Sequence, residues 1–403
     1  MRICVLGNQD NAGYRFANWL RARGHEADLY LMTHWESERS NPAAIDRSLA
    51  TEGYPSWIHR FHNSIPHVLF GGSPEIAEIE RGYDAVLVIG SMAMTVAYRI
   101  KKIPVVCLST GPGVLGVIRM FDQYGLKYRA FWTLMRFHMR RSVRSCAKIL
   151  VHYDPELSSL KQLGELGKAQ FYGMPEDVAG NRGRVDRQLL DELTTRYGAY
   201  DRVFVWLSRV DYTDPSTPMY KGTDKFIRAA AQVIQEGANV RLLIGAHGHD
   251  SERARALVEE LGIADHVDWV PHLPFWKMLT YLSIPNAIVF DELTPLNAVS
   301  SGMLREALSV GAVVVRSYSP LLTNAGYGSD ACPVHHALTQ ADTYGQMKTA
   351  LAWDAAHLKD EQRRSLCWAE RYLDPSTRID MLVRILEEVM YSERIARELG
   401  SRS

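Results

Sequence analysis

Two doubly wound α/β domains, each a parallel sheet wrapped by helices, are the fold that this sequence predicts, on three observations. Short runs rich in β-branched residues end in glycine or polar loops and alternate with longer amphipathic stretches. The alternation occurs twice, restarting near Val203 after a polar stretch. At 403 residues and 46% hydrophobic content the chain exceeds what one core uses, since single cores stop growing at about 250 to 300 residues.

In the first half the pattern predicts strands over residues 3–6, 27–31, 85–89, 105–108 and 149–152. A helix over 14–23 is closed by Gly24, the residue a left-handed helix cap asks for. The second half repeats the scheme with strands over 203–207, 240–244, 267–270, 287–290 and 312–315. Residues 180–200 are polar and lack a strong apolar run, so they read as the linker. The tail from 339 to 398 reads as helical, with a break at Asp374-Pro375 and an amphipathic helix from Ile379. The expected domains are therefore 1–185 and 195–372, with 373–403 a terminal helix crossing back to the first domain.

Composition excludes several classes. Lysine plus arginine and aspartate plus glutamate both total 46, so no global field favours nucleic acid, and none is expected as a partner. The five cysteines are scattered, odd in number and free of any C-x-x-C pair, against a disulfide framework or a zinc site and in keeping with a reducing cytoplasm. No histidine and carboxylate cluster shows metal-ligand spacing, so neither a metal nor another cofactor is expected. The N-terminus lacks a secretory signal, and no run reaches the roughly 18 apolar residues of a spanning helix, which leaves peripheral membrane contact only.

The candidate chemistry sits at βα junctions. Gly7-Asn8-Gln9-Asp10-Asn11-Ala12-Gly13 follows the first strand and opens the first helix, where backbone can approach a ligand. The spacing is not G-x-G-x-x-G and no acidic residue closes the second strand, which excludes an NAD site. Gly13 is either part of a tight turn or part of a loop facing an interdomain cleft. In the second half Arg209 ends a strand and Lys221 precedes a helix, two cations at the edge where open α/β sheets bind ligands. Together they suit a diphosphate; separately each could be a surface ion pair. Gly245 closes the next strand, and Pro271, His272 and Leu273 form the turn after the one that follows. Asp291 and Glu292 close a further strand. Ser301, Gly302 and Met303 open a helix whose free N–H groups and dipole make an anion site. Glu306, one turn inside, can accept two ribose hydroxyl bonds or stand as a solvated carboxylate.

Leu207-Ser208-Arg209, Lys221-Gly222, Leu243-Ile244-Gly245, Val267-Asp268-Trp269-Val270-Pro271 and Glu306-Ala307-Leu308-Ser309-Val310-Gly311 resemble, in order and spacing, the C-terminal half of family-four retaining glycosyltransferases with the GT-B fold. The likeness covers about residues 203–330; Gly24-His25-Glu26-Ala27 and Tyr172-Gly173-Met174-Pro175-Glu176-Asp177 add a weaker match upstream. The resemblance implies two Rossmann-like domains facing a cleft and transfer of a sugar, with retention, from a nucleoside-diphosphate sugar to an acceptor hydroxyl. It implies that Arg209 and Lys221 meet the donor diphosphate, that Glu306 binds the ribose and that residues 271–273 present backbone to the base. Surface polysaccharide or glycolipid assembly is the implied setting, with a lipid-linked or saccharide acceptor. The chain departs from the family at Ala298, where a first glutamate belongs; Asp291, Glu292 or Asn297 remains to reach the sugar. Ser109-Thr110-Gly111-Pro112-Gly113 likewise carries no histidine where the family often has one. A nonhydrolysing sugar-nucleotide epimerase and a catalytically inactive nucleotide-sugar-binding protein are the alternatives.

From Arg119 to Lys148 eight lysines and arginines stand against one acid, Asp122, interleaved with aromatic residues. Arg129, Arg136, Arg140 and Arg144 recur at helical spacing as a cationic face, suited to an anionic membrane surface or simply to solvent.

Overall fold

Buried strands covered on both faces read as unbroken apolar runs, and the strands at the centre of this chain do so. Ile3, Cys4, Val5 and Leu6 are wholly buried, as are Ala85, Val86, Leu87 and Val88. In a computed structural model, residues 1–32, 41–46, 48–62, 73–109, 126–152, 154–215, 220–294, 301–318 and 331–400 are described. The chain divides into two compact units, Met1–Gly173 with Pro375–Ser403, and Met174–Asp374.

The first unit runs β1 (Arg2–Leu6), α1 (Ala12–Ala22), β2 (Glu26–Met32), α2 (Ser48–Glu52), β3 (Ile58–Phe61), α3 (Pro74–Gly82), β4 (Ala85–Ile89), β5 (Val105–Leu108), α4 (Leu126–Ser145), β6 (Lys148–Val151), α5 (Asp154–Leu163) and β7 (Ala169–Phe171). Its seven strands are parallel in the order β3-β2-β1-β4-β5-β6-β7.

The second unit runs α6 (Val178–Arg184), α7 (Arg187–Tyr197), β8 (Arg202–Trp206), α8 (Thr223–Gln235), β9 (Val240–Gly245), α9 (Ser251–Glu260), β10 (Val267–Val270), α10 (Phe275–Leu282), β11 (Ala287–Asp291), α11 (Gly302–Ser309), β12 (Val313–Arg316), β13 (Val334–His336), α12 (Gln340–Ala352) and α13 (Ala355–Tyr372). Its six strands are parallel in the order β10-β9-β8-β11-β12-β13. The last helix, α14 (Pro375–Gly400), belongs to the first unit. There its Arg378 carbonyl accepts the Tyr172 hydroxyl at 2.9 Å.

Two differences from the sequence reading have local causes. Residues 180–200 are not an irregular linker: they carry α7 and most of α6, within the second unit, so that unit begins at Met174 rather than near 195. Asp177 caps α6 through the Gly180 N–H at 2.9 Å, and Asp186 caps α7 through the Leu189 N–H at 3.1 Å. Only Leu193 and Tyr197 of α7 are buried, at a spacing of one turn, which is why the apolar signal is faint. The strands absent from that reading, β3, β7 and β13, are all sheet edges and only partly buried.

Candidate functional site

In the second sheet the crossovers from β8 run toward β10 and those from β11 run toward β13, although β8 and β11 are neighbours. That reversal opens a crevice beyond the carboxyl ends of the two strands, where ligands of open α/β sheets bind.

Asp291, the last residue of β11, is fully buried there. Ser208 Oγ donates to its Oδ1 at 2.5 Å, and Ser301 Oγ donates to its Oδ2 at 2.6 Å. Arg316 pairs with Asp291 in register across β11 and β12 and is itself buried. Its Nη1 lies 3.5 Å from Asp291 Oδ2 and 3.0 Å from Ser301 Oγ, and its Nη2 donates to Glu292 Oε2 at 2.8 Å. Ser301 Oγ also accepts the Leu304 N–H at 3.0 Å, so the same hydroxyl caps α11 and ties its start to β11.

Lys221 Nζ donates to the other carboxylate oxygen of Glu292. The Lys221 backbone is held from both sides: its N–H donates to the Asp211 carbonyl at 2.7 Å, and its own carbonyl accepts the Leu293 N–H at 2.8 Å. Gly222 follows with φ of 78°, left-handed, where a side chain would press on the Leu293 carbonyl at 2.8 Å. Burial pushes the Lys221 ammonium down to about 8; Asp291 and Asp211 oppose the shift while Arg209 and Arg316 add to it. Arg209 therefore stands within electrostatic reach of Lys221, with its Nε 3.7 Å from Asp211 Oδ2. Asp211 in turn accepts the His249 N–H at 2.8 Å. Three cations, Arg209, Lys221 and Arg316, are thus balanced by three carboxylates, Asp211, Asp291 and Glu292.

At the start of α11 Gly302 is exposed and Met303 is partly buried. Glu306 Oε1 reaches back to 3.8 Å from where a Gly302 side chain would begin, placing a carboxylate over the helix's positive end. Along the same sheet edge Gly245 closes β9, while Pro271 and His272 are exposed beyond β10 and the His272 ring meets His247 edge-on at 5.4 Å. Leu273 instead packs on the core beneath.

The structure thus draws Arg209, Lys221, Glu292 and Ser301 into one network, with Gly302 and Glu306 at its helix. Gly13 lies in the other unit, in the first turn of α1, where a side chain would collide with the Gly7 carbonyl. The close approach of the turn between β1 and α1, with Asn8 and Leu29 beside it, leaves no room for a side chain at that glycine. Asn297 and Ala298 lie outside the described residues, as does the segment 110–113. Arg316, Ser208 and Asp211 were missed in the sequence. A signal existed: two apolar runs, 287–290 and 313–315, are closed by Asp291 and Arg316, charges of opposite sign.

The cationic face of α4 is also redrawn. Leu134, Phe137, Arg140, Arg141 and Arg144 are exposed, whereas Met135, His138, Met139, Ser142 and Val143 are buried. Arg136 is largely buried, because 3.6 residues per turn rotate it to the border of the stripe, and Arg141 takes its place. The Arg141 guanidinium lies 4.6 Å above the Tyr98 ring and 5.6 Å from that of Phe137. The Arg129 side chain lies outside the described residues.

Among the described residues no group of three or more histidine, cysteine, aspartate or glutamate side chains is arranged to hold a metal, and no helix is long and apolar enough to cross a membrane.

No protein-family model matches the chain, and no curated protein matches it by sequence. Solved structures do match its fold. HepE of Anabaena, in complex with UDP and glucose, aligns over 96% of this chain and 100% of its own with a TM-score of 0.66 at 15% identity. Sucrose-phosphate synthase of Thermosynechococcus elongatus aligns over 97% and 100% with a TM-score of 0.66 at 12% identity. An alpha-glucosyltransferase in complex with UDP aligns over 96% and 100% with a TM-score of 0.62 at 13% identity. The chain shares with these glycosyltransferases the fold of two Rossmann-like parallel-sheet domains known as GT-B.

Proposed function

We propose that the chain is a retaining glycosyltransferase that moves a sugar from a nucleoside-diphosphate sugar to an acceptor hydroxyl, in surface polysaccharide or glycolipid assembly. The observation that carries this reading is the convergence at one crevice of Arg209, Lys221 and the opening turn of α11. Two cations and the positive end of a helix match a departing diphosphate, whose charge is what a glycosyl transfer must stabilise most. Glu306 reads as the ribose ligand, Pro271 to Leu273 as the base platform, and Gly245, Glu292, Ser301, Gly302 and Met303 as the remaining donor contacts. Neighbours of this fold are complexed with UDP, with and without glucose, which supports a nucleotide-sugar donor. The donor charge is met by side chains and a helix end, so binding requires no metal.

A thermal-shift panel of uridine, guanosine, adenosine and thymidine diphosphates tests the reading. At one hundred times its dissociation constant the matching nucleotide stabilises the fold by about 2.7 kcal/mol. The shift persists in chelator. No shift with any of the four overturns the assignment.

The acceptor reading rests on α4. Phe137, 54% exposed, projects among Arg140, Arg141 and Arg144, an arrangement suited to the headgroup layer of an anionic bilayer and so to a lipid-linked acceptor. The protein should cosediment with vesicles containing phosphatidylglycerol and not with pure phosphatidylcholine. Phe137→Ser with Arg140→Glu should abolish that binding; equal sedimentation with both vesicle types would count against it.

A further inference from the structure

We infer that Glu292 is a built-in stand-in for the diphosphate: it occupies Lys221 until a diphosphate arrives and then keeps Arg316 as its ionic partner. The inference rests on the donor-site reading above and assigns Glu292 a competitive role within it.

Each oxygen of the Glu292 carboxylate has its own cation. Oε2 faces Arg316, whose side chain is 1% exposed, and Oε1 faces Lys221, whose side chain is 13% exposed. The two partners are therefore not equivalent. Arg316 is locked in place by Asp291, Ser301 and the Ser317 carbonyl, 3.1 Å from its Nε, and has no route to a ligand. Lys221 sits at the crevice and can exchange one anion for another. When it does, Glu292 keeps a buried charge-assisted bond at 2.8 Å and is never stranded, so the exchange avoids the cost of an unpaired buried carboxylate.

The backbone supports the same role. Glu292 has φ of 42°, one of three non-glycine residues in the chain with positive φ among those described, and left-handed glutamate is uncommon. The conformation is held by Ser317, whose N–H donates to the Glu292 carbonyl at 3.2 Å, and by the Leu293 N–H on the Lys221 carbonyl. Such strain persists where the surroundings over-determine it, commonly at ligand clamps.

A competitor of this kind sets a threshold. A ligand displaces Glu292 only if it offers Lys221 a better partner than a carboxylate already in place. A diphosphate that reaches Arg209 and Lys221 together meets that condition, and a monoanion does not.

Calorimetric titration with inorganic pyrophosphate, in parallel with uridine diphosphate, tests the inference on the full chain. Glu292→Gln keeps the shape and the left-handed backbone and removes the competing charge, so pyrophosphate should bind about tenfold more tightly, the effect of one partly screened charge. Glu292→Asp keeps the charge on a shorter arm and should tighten binding less.

A pH series supplies a readout that packing alone would not move. The charged groups facing the Lys221 ammonium are Asp291 at the end of β11 and Glu292 just after it, Arg209 and Asp211 from the β8 loop, and Arg316 from β12. Removing the Glu292 charge takes away the carboxylate paired directly with the ammonium and leaves Asp291 and Asp211 against Arg209 and Arg316, so the alkaline limb of the binding profile should move to lower pH in Glu292→Gln even as affinity below the limb rises. Unchanged or weaker pyrophosphate binding by a folded Glu292→Gln protein overturns the inference. If the wild type bound neither ligand, the donor-site reading would fall. Pyrophosphate binding gained by Glu292→Gln would then still support the stand-in, and no gain would refute it.

Discussion

Arg316→Met destabilises the second unit by about 3 to 5 kcal/mol, the range for removing one partner from a buried ionic network. The size follows from what the guanidinium leaves behind. Asp291 is wholly buried and Glu292 nearly so, and Arg316 bonds to both. Without it Asp291 keeps two hydroxyl donors, Ser208 and Ser301, which are neutral and offset only part of a buried charge. Amide hydrogen exchange in β11 and β12 reads the loss locally, apart from the first unit, and the urea midpoint of that transition should fall with it. Combining Arg316→Met with Asp291→Asn and Glu292→Gln should recover most of the loss. A loss below about 1 kcal/mol, the scale of a surface pair, would mean that the network is hydrated and not a buried counterion system.

The parts of this fold legible in the sequence are those whose signal is local. β4 and β5 are read to the residue because each is a short apolar run bounded by turn residues, and β10 because its two valines frame a strand that Pro271 closes. Three of the four edge strands, β3, β7 and β13, escape because an edge buries fewer side chains: β7 has none fully buried and so lacks the run that marks its neighbours. The helices α6 and α7 escape for a different reason, since their ends are set by Asp177 and Asp186 and not by a wide apolar face. The same division holds at the site. Arg209, Lys221 and the start of α11 are visible because each adjoins a strand end or a glycine in the chain. Arg316 is not, because its role comes from register: it matters only once β12 lies beside β11 with Arg316 opposite Asp291. One-dimensional spacing carries no information about that pairing. Nor does it show that Arg136 turns to the border of α4 while Arg141 faces out, which depends on what Met135, His138 and Met139 pack against.

Lys221→Met weakens nucleoside-diphosphate binding about a hundredfold, a loss of about 2.7 kcal/mol that corresponds to one strong charge-assisted contact. The mutation also strips the pH dependence, and the sign can be worked out from the free site. With its ammonium pushed down to about 8, Lys221 is mostly charged at pH 7 and mostly neutral at pH 9. A bound diphosphate adds negative charge beside it and raises that value, so above about 8 each binding event must take up a proton. The wild-type dissociation constant should then be flat from pH 6.5 to 7.5 and rise toward tenfold per pH unit above about 8. Lys221→Met should be weak and flat across the same range, because no group at position 221 titrates. Lys221→Arg holds its charge throughout and should also be flat, with affinity between the other two, since a planar fork does not reproduce the point contact of an ammonium. An alkaline limb that persists in Lys221→Met would assign the titration to another group and remove Lys221 from the diphosphate's contacts.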